Sequence, residues 1–584
     1  MTSIKVLLFT KEEWNPPPSW PNFITVTRVS EIASTNELYN IIRTVRPDLL
    51  FSRKEEKFPL LNILSFEYRR RWYEINSLLE FNPGNIERYF MILVTEKDSR
   101  EFLISVVTTA YMSEERIYRA YRSLVNQTFT NWEWIIWSDT PPETSSPSKA
   151  TNWERLCHLE TLDYRIRLYQ ASRNDGNIGS VKYNASMLAR GDLIVELDHD
   201  DDFIPESLAY LASAMRENPE AGFFYTESAE VYEENDDNHN YGIFFGRGYG
   251  AYTKIAIDGK WRLQTFTAPL NRNSINHLVG MPNHFRAVRT DLYRKVRGNC
   301  PFLAVSDDFD LMLKCFLETS YVKIPTLCYI QYRNSGGNNF TFRRNGYIQE
   351  LCRMLYRAYA PRLNKRFEEI GFPSGEGRNL PRPIWMDPSV IDHPRFEILS
   401  LPNRLRSIDI IICLRPNAQL KLEHLYDLIE MLEKQSYRHW SVILSGVRCA
   451  SLEATMTMLP ASLRKHFRYW NQIDFGDYLG DNPVENIPLM KAVTRNYAQL
   501  IMSTSKYVLY MPFGHLTKKL DWSTDRLQEF HDECIATQSR HIYTNGLFFY
   551  DVPEKEFVWW KSGDRKANLG TDRALVLASR LDAN

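Results

Sequence analysis

Residues 193–202, which read LIVELDHDDD in one-letter code, carry a clear signal of the fold of this protein. The apolar run from Leu193 to Leu197 is typical of a buried strand, and four aspartates interrupted by one histidine follow it directly. An acidic cluster on its own is an ordinary surface feature. At the end of a buried strand, however, adjacent carboxylates repel one another unless a cation compensates their charge. A hard divalent ion, Mn²⁺ or Mg²⁺, suits such oxygen ligands and can bridge carboxylates to substrate phosphates. The segment therefore predicts a metal site that serves a nucleoside-diphosphate ligand.

The same pattern extends outward from this strand. Leu103 to Thr109 and Trp134 to Trp137 are predicted strands, and polar residues such as Asp139 follow them. Strands that alternate with helices and end in polar residues predict a parallel sheet whose ligand crevice lies at the carboxyl edge. The predicted fold class is therefore α/β and Rossmann-like.

Composition limits the class of protein. Of 584 residues, 43% are hydrophobic, 24% charged and 13% aromatic, which excludes a disordered, collagen-like or low-complexity chain. Lys and Arg total 71 against 72 Asp and Glu, so no global electrostatic field favours binding to nucleic acid or anionic lipid.

No apolar run reaches the ~18 residues of a membrane span, and the first residues do not resemble a signal peptide. Eight cysteines without a CxxC pair favour a reducing compartment. We therefore expect a soluble cytoplasmic protein without a nucleic-acid partner. Arg69 to Arg71 leave peripheral membrane contact open, although such runs are usually solvated.

The chain divides into four predicted parts. Residues 1–95 alternate strand-like and helix-like runs, including a predicted helix over Leu60–Glu80, and indicate a small α/β domain. Residues 96–369 hold the motifs and form the predicted catalytic domain. Residues 370–404 are rich in proline and indicate a linker. Residues 405–584 form a C-terminal domain.

The C-terminal domain repeats the pattern of the central one. Leu124–Trp132 aligns without gaps with Leu432–Trp440 at an offset of 308, and Leu193–Asp201 aligns with Tyr507–His515. We therefore predict a second copy of the same fold. The acidic positions are lost in this copy, where Val447, Pro512 and Gly514 stand in place of Asp139, Asp198 and Asp200. The copy is predicted to be degenerate and to serve acceptor binding, homodimer formation or support.

Taken together, the motifs of residues 101 to about 345 resemble a family-2 glycosyltransferase of the GT-A fold. The resemblance is carried by an opening strand, a Q-T-aromatic signature, an N-x-G run, an L-D-x-D-D motif and an acidic dipeptide that opens a helix. These elements are Ile104–Tyr111, Gln127–Phe129, Asn177–Gly179, Leu197–Asp201 and Ser306–Lys314.

The resemblance implies a role for particular residues. Asp200 and Asp198 are the expected metal ligands, and Asp308, preceded by Asp307, is the expected catalytic base. The expected donor contacts are Thr109, Tyr111, Asp139, Asn177, Lys182 and Asp198. The expected sugar or acceptor pocket comprises Trp261, from an aromatic-rich segment that starts at Tyr232, together with His284 and Arg333. Ordinary packing and solvated surface positions remain the alternative for Lys182 and for the pocket residues.

The predicted function is transfer of a sugar from a nucleotide-diphosphate donor, a UDP-sugar by preference, to a hydroxyl of a glycan or protein, with inversion. Two alternatives stay open at this point. One is a non-catalytic carbohydrate- or nucleotide-binding module on the same scaffold. The other is a sugar-nucleotide hydrolase or pyrophosphorylase, which needs the metal but no base placed for an acceptor.

Overall fold

The computed structural model describes residues 4–551 apart from 57, 65–67, 69–70, 99–101, 114, 141–146, 164, 243–250, 268–269, 271–273, 277, 279–280, 335–339, 371–396, 401–407, 473–501, 503–504, 506, 518–521, 530–531, 533–540 and 545–546. The described strands are β1 (Ile4–Phe9), β2 (Ile24–Val29), β3 (Leu49–Arg53), β4 (Trp72–Ile75), β5 (Ile104–Ala110), β6 (Trp132–Ser138), β7 (Ile166–Gln170), β8 (Leu193–Glu196), β9 (Asp202–Phe203), β10 (Phe223–Tyr232), β11 (Ala251–Ile257), β12 (Lys260–Phe266), β13 (Arg286–Arg289), β14 (Tyr321–Arg333), β15 (Glu397–Leu399), β16 (Ile408–Leu414), β17 (Trp440–Val447), β18 (Phe467–Gln472), β19 (Tyr507–Tyr510), β20 (His541–Thr544) and β21 (Leu547–Asp551). The described α-helices are α1 (Thr35–Val45), α2 (Pro83–Asp98), α3 (Ile117–Val125), α4 (Pro147–Leu162), α5 (Ile178–Ser186), α6 (Ser207–Glu217), α7 (Thr290–Lys295), α8 (Asp307–Glu318), α9 (Phe340–Glu369), α10 (Leu422–Glu433), α11 (Ala450–Met458), α12 (Ala461–Arg464) and α13 (Phe513–Leu516).

The chain forms two compact units. The first comprises residues 1–121, 129–199 and 287–307, and the second comprises residues 122–128, 200–286 and 308–584. Both units are mixed α/β structures, as the sequence predicts.

In the first unit, the N-terminal residues form a parallel sheet in the order β2-β1-β3-β4. The predicted helix over Leu60–Glu80 is wrong, because a 3₁₀ helix (Pro59–Ile63) and strand β4 occupy much of this stretch. In β4, Tyr73 and Ile75 are buried and Glu74 between them is exposed, which is the two-residue period of a strand. Four residues are too few for that period to stand out in the sequence.

The central sheet of the first unit has the order β7-β6-β5-β8-β13, in which only β13 runs antiparallel. Helix α5 and the segment before β8 pack closely at two glycines. A Cβ on Gly179 would lie 2.1 Å from the carbonyl oxygen of Cys300, and a Cβ on Gly191 would lie 2.5 Å from that of Leu103. The glycines of the N-x-G and A-R-G motifs are therefore required by packing.

In the second unit, β14 lies between β10 and β15 and also pairs with β9. Strand β15 falls within the predicted linker 370–404, so three residues of that segment extend a sheet. The rest of the linker, apart from Ile370 and Ser400, lies outside the described residues. The predicted domain boundaries stay predictions.

The C-terminal residues of the second unit form a sheet in the order β12-β11-β18-β17-β16-β19-β21-β20. Its segment β18-β17-β16-β19-β21 has the same strand order and the same directions as β7-β6-β5-β8-β13, including the single antiparallel strand. The register is also the same. Leu193 lies opposite Ile104, and Tyr507 lies opposite Ile408, in agreement with the alignment of Leu193 with Tyr507.

A glutamine contact also occurs in both copies. Gln127 donates to the carbonyl of Ile204 at 2.8 Å and accepts at 3.0 Å from the N–H four residues later. Gln435 makes the same two contacts with Ser523 at 2.9 Å and with the N–H four residues later at 3.1 Å. The Gln of the Q-T-aromatic signature thus holds the start of a following helical segment in each copy.

A hairpin from the predicted catalytic domain extends the C-terminal sheet. Strand β11 pairs antiparallel with β12 and, on its other side, with β18, where Lys254 lies opposite Tyr469. The Lys254 ammonium also lies 3.2 Å from the Tyr469 hydroxyl and forms an ion pair with Glu453 at 2.5 Å. The C-terminal sheet therefore includes a strand residue, Lys254, that lies 215 positions before its partner Tyr469 in the chain.

In the part of the chain that the structure describes, every helix is too short or too polar to cross a membrane. The described cysteines, all but Cys534, are free thiols.

Candidate functional site

The predicted donor-contact residues lie at one edge of the first unit's central sheet. Because β5, β6 and β8 are parallel, their carboxyl ends meet at the same edge. Thr109 lies at the end of β5, and Tyr111, which is 42% exposed, follows it. Asp139 follows β6, and Asp198 comes two residues after β8. The structure therefore brings these four residues to one edge of the sheet, and their contact with a donor stays a prediction.

Asp139 is oriented by the loop after β7. Its buried carboxylate accepts from the Nδ2 of Asn174 at 2.8 Å and from the backbone N–H groups of Asp175 at 3.1 Å and Gly176 at 3.4 Å. Burial raises the pKa of Asp139, and the hydrogen bonds from Asp175 and Gly176 oppose this rise. The N-D-G turn of this loop was a visible signal for the contact, but sequence reasoning missed it.

Helix α5 carries two predicted donor contacts. Asn177 caps the helix and accepts from the N–H of Ser180 at 3.5 Å. The Lys182 ammonium lies 3.5 Å from a carboxylate oxygen of Glu196 and 4.0 Å from one of Asp307. The Lys182 ammonium therefore lies between two carboxylates, close to the end of β8. Its role as a diphosphate contact stays a prediction.

Asp307 and Asp308 open helix α8 but have different environments. Asp307 is buried, and its carboxylate accepts from the Nδ2 of Asn299 at 2.7 Å. The Asp308 side chain is 24% exposed; its Oδ2 accepts from Nη1 of Arg286 at 2.8 Å, and its Oδ1 accepts from the N–H of Phe309 at 2.8 Å. Of the two carboxylates, that of Asp308 is thus both held in one orientation and accessible to a molecule from solvent.

In the second unit, the last two aspartates of the acidic motif contact β14. Asp201 is buried and accepts from the hydroxyl of Tyr329 at 2.7 Å and the N–H of Tyr332 at 2.8 Å. Asp202 accepts from the hydroxyl of Tyr332 at 3.0 Å. These contacts hold the acidic segment against the strand.

His284 lies beside Asp201. Its imidazole stacks on the ring of Tyr329, with centroids 4.5 Å apart and the planes 8° from parallel. One ligand atom of His284 lies within 4.8 Å of a carboxylate oxygen of Asp201. A carboxylate oxygen and an imidazole nitrogen at this separation are suitable ligands for a divalent ion.

Two other predicted pocket residues have protein partners. Arg333 forms a buried ion pair with Glu230 and donates to the hydroxyl of Tyr241 at 2.9 Å. The indole of Trp261 packs on the ring of Tyr469, 4.9 Å between centroids, and its Nε1 donates to the carbonyl of Met456 at 3.1 Å. Trp261 thus belongs to the hairpin that extends the C-terminal sheet, and its predicted contact with a sugar stays a prediction. Residues 243–250 of the aromatic-rich segment lie outside the described residues.

Sequence reasoning missed Arg286 and Tyr329. Each is distant in sequence from the residue that it contacts, 22 positions in the case of Arg286 and 128 in the case of Tyr329. No local pattern marks either residue as part of a site.

Comparison with known proteins finds similarity over the central segment. Residues 105–297 match the sequence model of Glycosyl transferase family 2. The putative colanic acid biosynthesis glycosyl transferase WcaA of Escherichia coli strain K12 is 29% identical over 138 residues, which are 23% of this chain and 46% of that protein. The UDP-Glc:alpha-D-GlcNAc-diphosphoundecaprenol beta-1,3-glucosyltransferase WfgD of Escherichia coli is 28% identical over 155 residues, 26% of this chain and 55% of that protein. The match thus spans about half the length of these two relatives. Among solved structures, S. aureus TarS matches 39% of this chain and 36% of its own, with 19% identity and a TM-score of 0.29.

Proposed function

We propose that the protein is a metal-dependent, inverting glycosyltransferase, a proposal supported by the match of residues 105–297 to the model of Glycosyl transferase family 2. It transfers a sugar from a nucleotide-diphosphate donor to a hydroxyl group of a glycan or protein.

The observation that carries the proposal is the environment of Asp308. A general base needs an accessible carboxylate that is held in one orientation. Asp308 is 24% exposed, and Arg286 and the N–H of Phe309 each hold one of its oxygens. A metal-dependent hydrolase or pyrophosphorylase has no need of such a group for an acceptor. Asp308 takes the proton of the acceptor hydroxyl as the oxygen attacks the anomeric carbon from the face opposite the leaving group. One displacement inverts the anomeric configuration.

The residues near Asp201 fit a divalent cation. Asp201 and His284 offer ligand atoms within 4.8 Å of one another. In this proposal they would hold the ion together with Asp200, the ligand predicted from the sequence, and the ion would supply charge compensation for the diphosphate leaving group. The imidazole favours Mn²⁺ over Mg²⁺, because Mg²⁺ prefers an all-oxygen shell. Asp198 faces the ribose or sugar of the donor in this proposal.

The donor is a UDP-sugar. The relative WfgD carries UDP-Glc in its name, and Asp139, buried at the end of β6, offers carboxylate oxygens beside the edge where the family binds the nucleotide base. The loop of Asn174 to Gly176 keeps that carboxylate in place.

The C-terminal copy has the fold without the acidic groups. Val447, Pro512 and Gly514 have no carboxylate, so this copy serves support, acceptor binding or homodimer formation. Its pairing with β11 favours support of the central segment.

The test is a screen of nucleotide sugars for Mn²⁺-dependent release of nucleoside diphosphate, with thermal shift to rank the donors. The proposal predicts release that increases when a hydroxyl acceptor is added, together with a glycosylated product. Donor binding without release would indicate a binding module, and release that yields only free sugar would indicate a hydrolase.

A further inference from the structure

A large cleft lies within the first unit, between the N-terminal sheet and the β6-β7 side of the central sheet. Its volume is about 1190 Å³. One wall is formed by Trp72, Glu74 and Asn76, at and just after β4, and the opposite wall by β6, β7, α4 and α5. Lys54 on the N-terminal side forms an ion pair with Glu160 on α4, which ties the two walls together.

Aromatic rings form much of the lining. Three of the chain's 14 tryptophans and two tyrosines face this cleft, and all five are half-buried: Trp72, Trp137, Trp153, Tyr169 and Tyr183. Two of the rings are held in place by neighbours. The Nε1 of Trp72 donates to the Oγ of Ser52 at 2.9 Å, and the ring of Trp137 stacks on Tyr169 at 6.4 Å between centroids, 20° from parallel. Rigid aromatic faces are suited to stack against the C–H faces of sugar rings.

The polar part of the lining carries an excess of negative charge. Four carboxylates line the cleft, against the two cations Lys54 and Arg173. This excess disfavours phosphate-rich ligands such as nucleic acids or phosphopolymers. The amides Asn76 and Asn184 and the carboxylates can pair with hydroxyl groups, which both donate and accept.

The geometry points to a binding site for a neutral oligosaccharide in this cleft. Its volume exceeds the range of about 300–1,000 Å³ of pockets for small ligands, so it has room for a chain of sugars. The cleft ends at Asp139 and Asp175, at the edge where the donor residues lie. It contains none of Asp200, Asp201, His284 or Asp308, and the inference therefore does not rest on the proposed transfer reaction.

The inference is tested by applying the labelled protein of 584 residues to an array of neutral and acidic glycans, with EDTA and without nucleotide sugar. We expect retention on a subset of neutral oligosaccharides. Trp153→Ala should weaken that retention about tenfold or more, since it removes one stacking face. Trp153→Phe keeps a face and should bind within a few-fold of the unchanged protein. Tyr426→Ala removes a 43% exposed aromatic from α10, outside the cleft, and should bind normally.

Asn76→Arg provides a second variant for the case in which Trp153→Ala does not fold. Asn76 is exposed, so the larger side chain fills part of the cleft without entering a core, and retention should fall. Melting curves of each variant identify those that fold. The inference is overturned if the wild-type protein retains no neutral glycan or binds acidic glycans alone. It is also overturned if a folded Trp153→Ala or Asn76→Arg variant retains neutral glycans as well as the wild-type protein does. The assay contains neither metal ion nor donor. The result of the glycan-binding test therefore does not depend on whether the proposed transferase reaction occurs.

Discussion

The guanidinium of Arg190 lies 3.7 Å from the centre of the Tyr73 ring and so joins the central sheet of the first unit to the N-terminal sheet. Arg190 is buried and also donates to the carbonyl of Trp72. Its backbone N–H donates to the carboxylate of Glu133 at 2.6 Å, and Arg167 forms an ion pair with the same carboxylate at 3.1 Å. Arg190, the arginine of the A-R-G-D run, therefore holds the central sheet of the first unit against the N-terminal sheet.

Replacing Arg190 with Met should lower the free energy of unfolding by about 2–4 kcal/mol, because a desolvated cation–π contact and part of a buried ion-pair network are lost. A double-mutant cycle with Tyr73→Leu should give a coupling of about 1–2 kcal/mol in denaturant unfolding. Arg438→Met, at an exposed position, is the control and should change stability by less than about 0.5 kcal/mol. Additive effects of the two substitutions would contradict the contact.

Asp200→Asn should remove a ligand of the proposed cation. We expect sugar transfer to fall at least ~10²-fold, as when a major electrostatic stabiliser is lost. The Mn²⁺-dependent thermal stabilisation by UDP should also disappear. Asp202→Asn is the matched control, because the carboxylate of Asp202 accepts from Tyr332 at 3.0 Å, and it should keep the response to Mn²⁺. Unchanged Mn²⁺-dependent activity of Asp200→Asn would defeat the metal assignment.

Asp308→Asn should separate binding from turnover, because the amide keeps the shape of the side chain but cannot accept the proton. Turnover should drop by about 10²–10⁴-fold while donor affinity stays within a few-fold. Donor affinity is measured by calorimetry and turnover by product formation. Loss of donor binding together with turnover would make Asp308 a binding residue.

Trp261→Ala should destabilise the C-terminal sheet, because its indole packs on Tyr469 and donates to Met456. We expect the free energy of unfolding to fall by about 3 kcal/mol. This value is at the lower end of the range for replacing a large aromatic residue with alanine, because Trp261 is half-buried. Thermal melting beside the control Tyr426→Ala measures the effect. Unchanged melting with weaker acceptor binding would instead favour the sugar-pocket role predicted from the sequence.

His239 should make stability depend on pH. Burial, with a further contribution from the charge of Arg333, lowers the pKa of His239 to about 4, against about 6.5 in an unfolded chain. The unfolded state therefore binds the proton more readily, and the stability present above pH ~6.5 is lost as the pH falls toward 4. His239→Gln should flatten this part of the melting-temperature profile, whereas His158→Gln, at an exposed position, should leave it unchanged. Equal slopes for both variants would refute the assignment.

Features that depend on a local pattern of residues could be predicted from the sequence alone. Buried runs such as Leu193–Leu197 mark strands because hydrophobic burial drives their formation, and the acidic residues after them lie at the carboxyl edge because parallel strands end together. The repeat could also be predicted, because the two copies keep some residues that make equivalent contacts, as Gln127 and Gln435 show.

The pairing of residues from distant segments could not be predicted and is seen first in the tertiary structure. The contact of Arg286 with Asp308, that of Arg190 with Tyr73 and the pairing of β11 with β18 join segments that lie far apart in the chain. The strand β4 was hidden for the same reason, because it has only four residues and its parallel partner β3 comes from a separate segment of the chain. Such contacts depend on the free energy of packing whole elements together, and no periodicity within either segment records which partner it will meet.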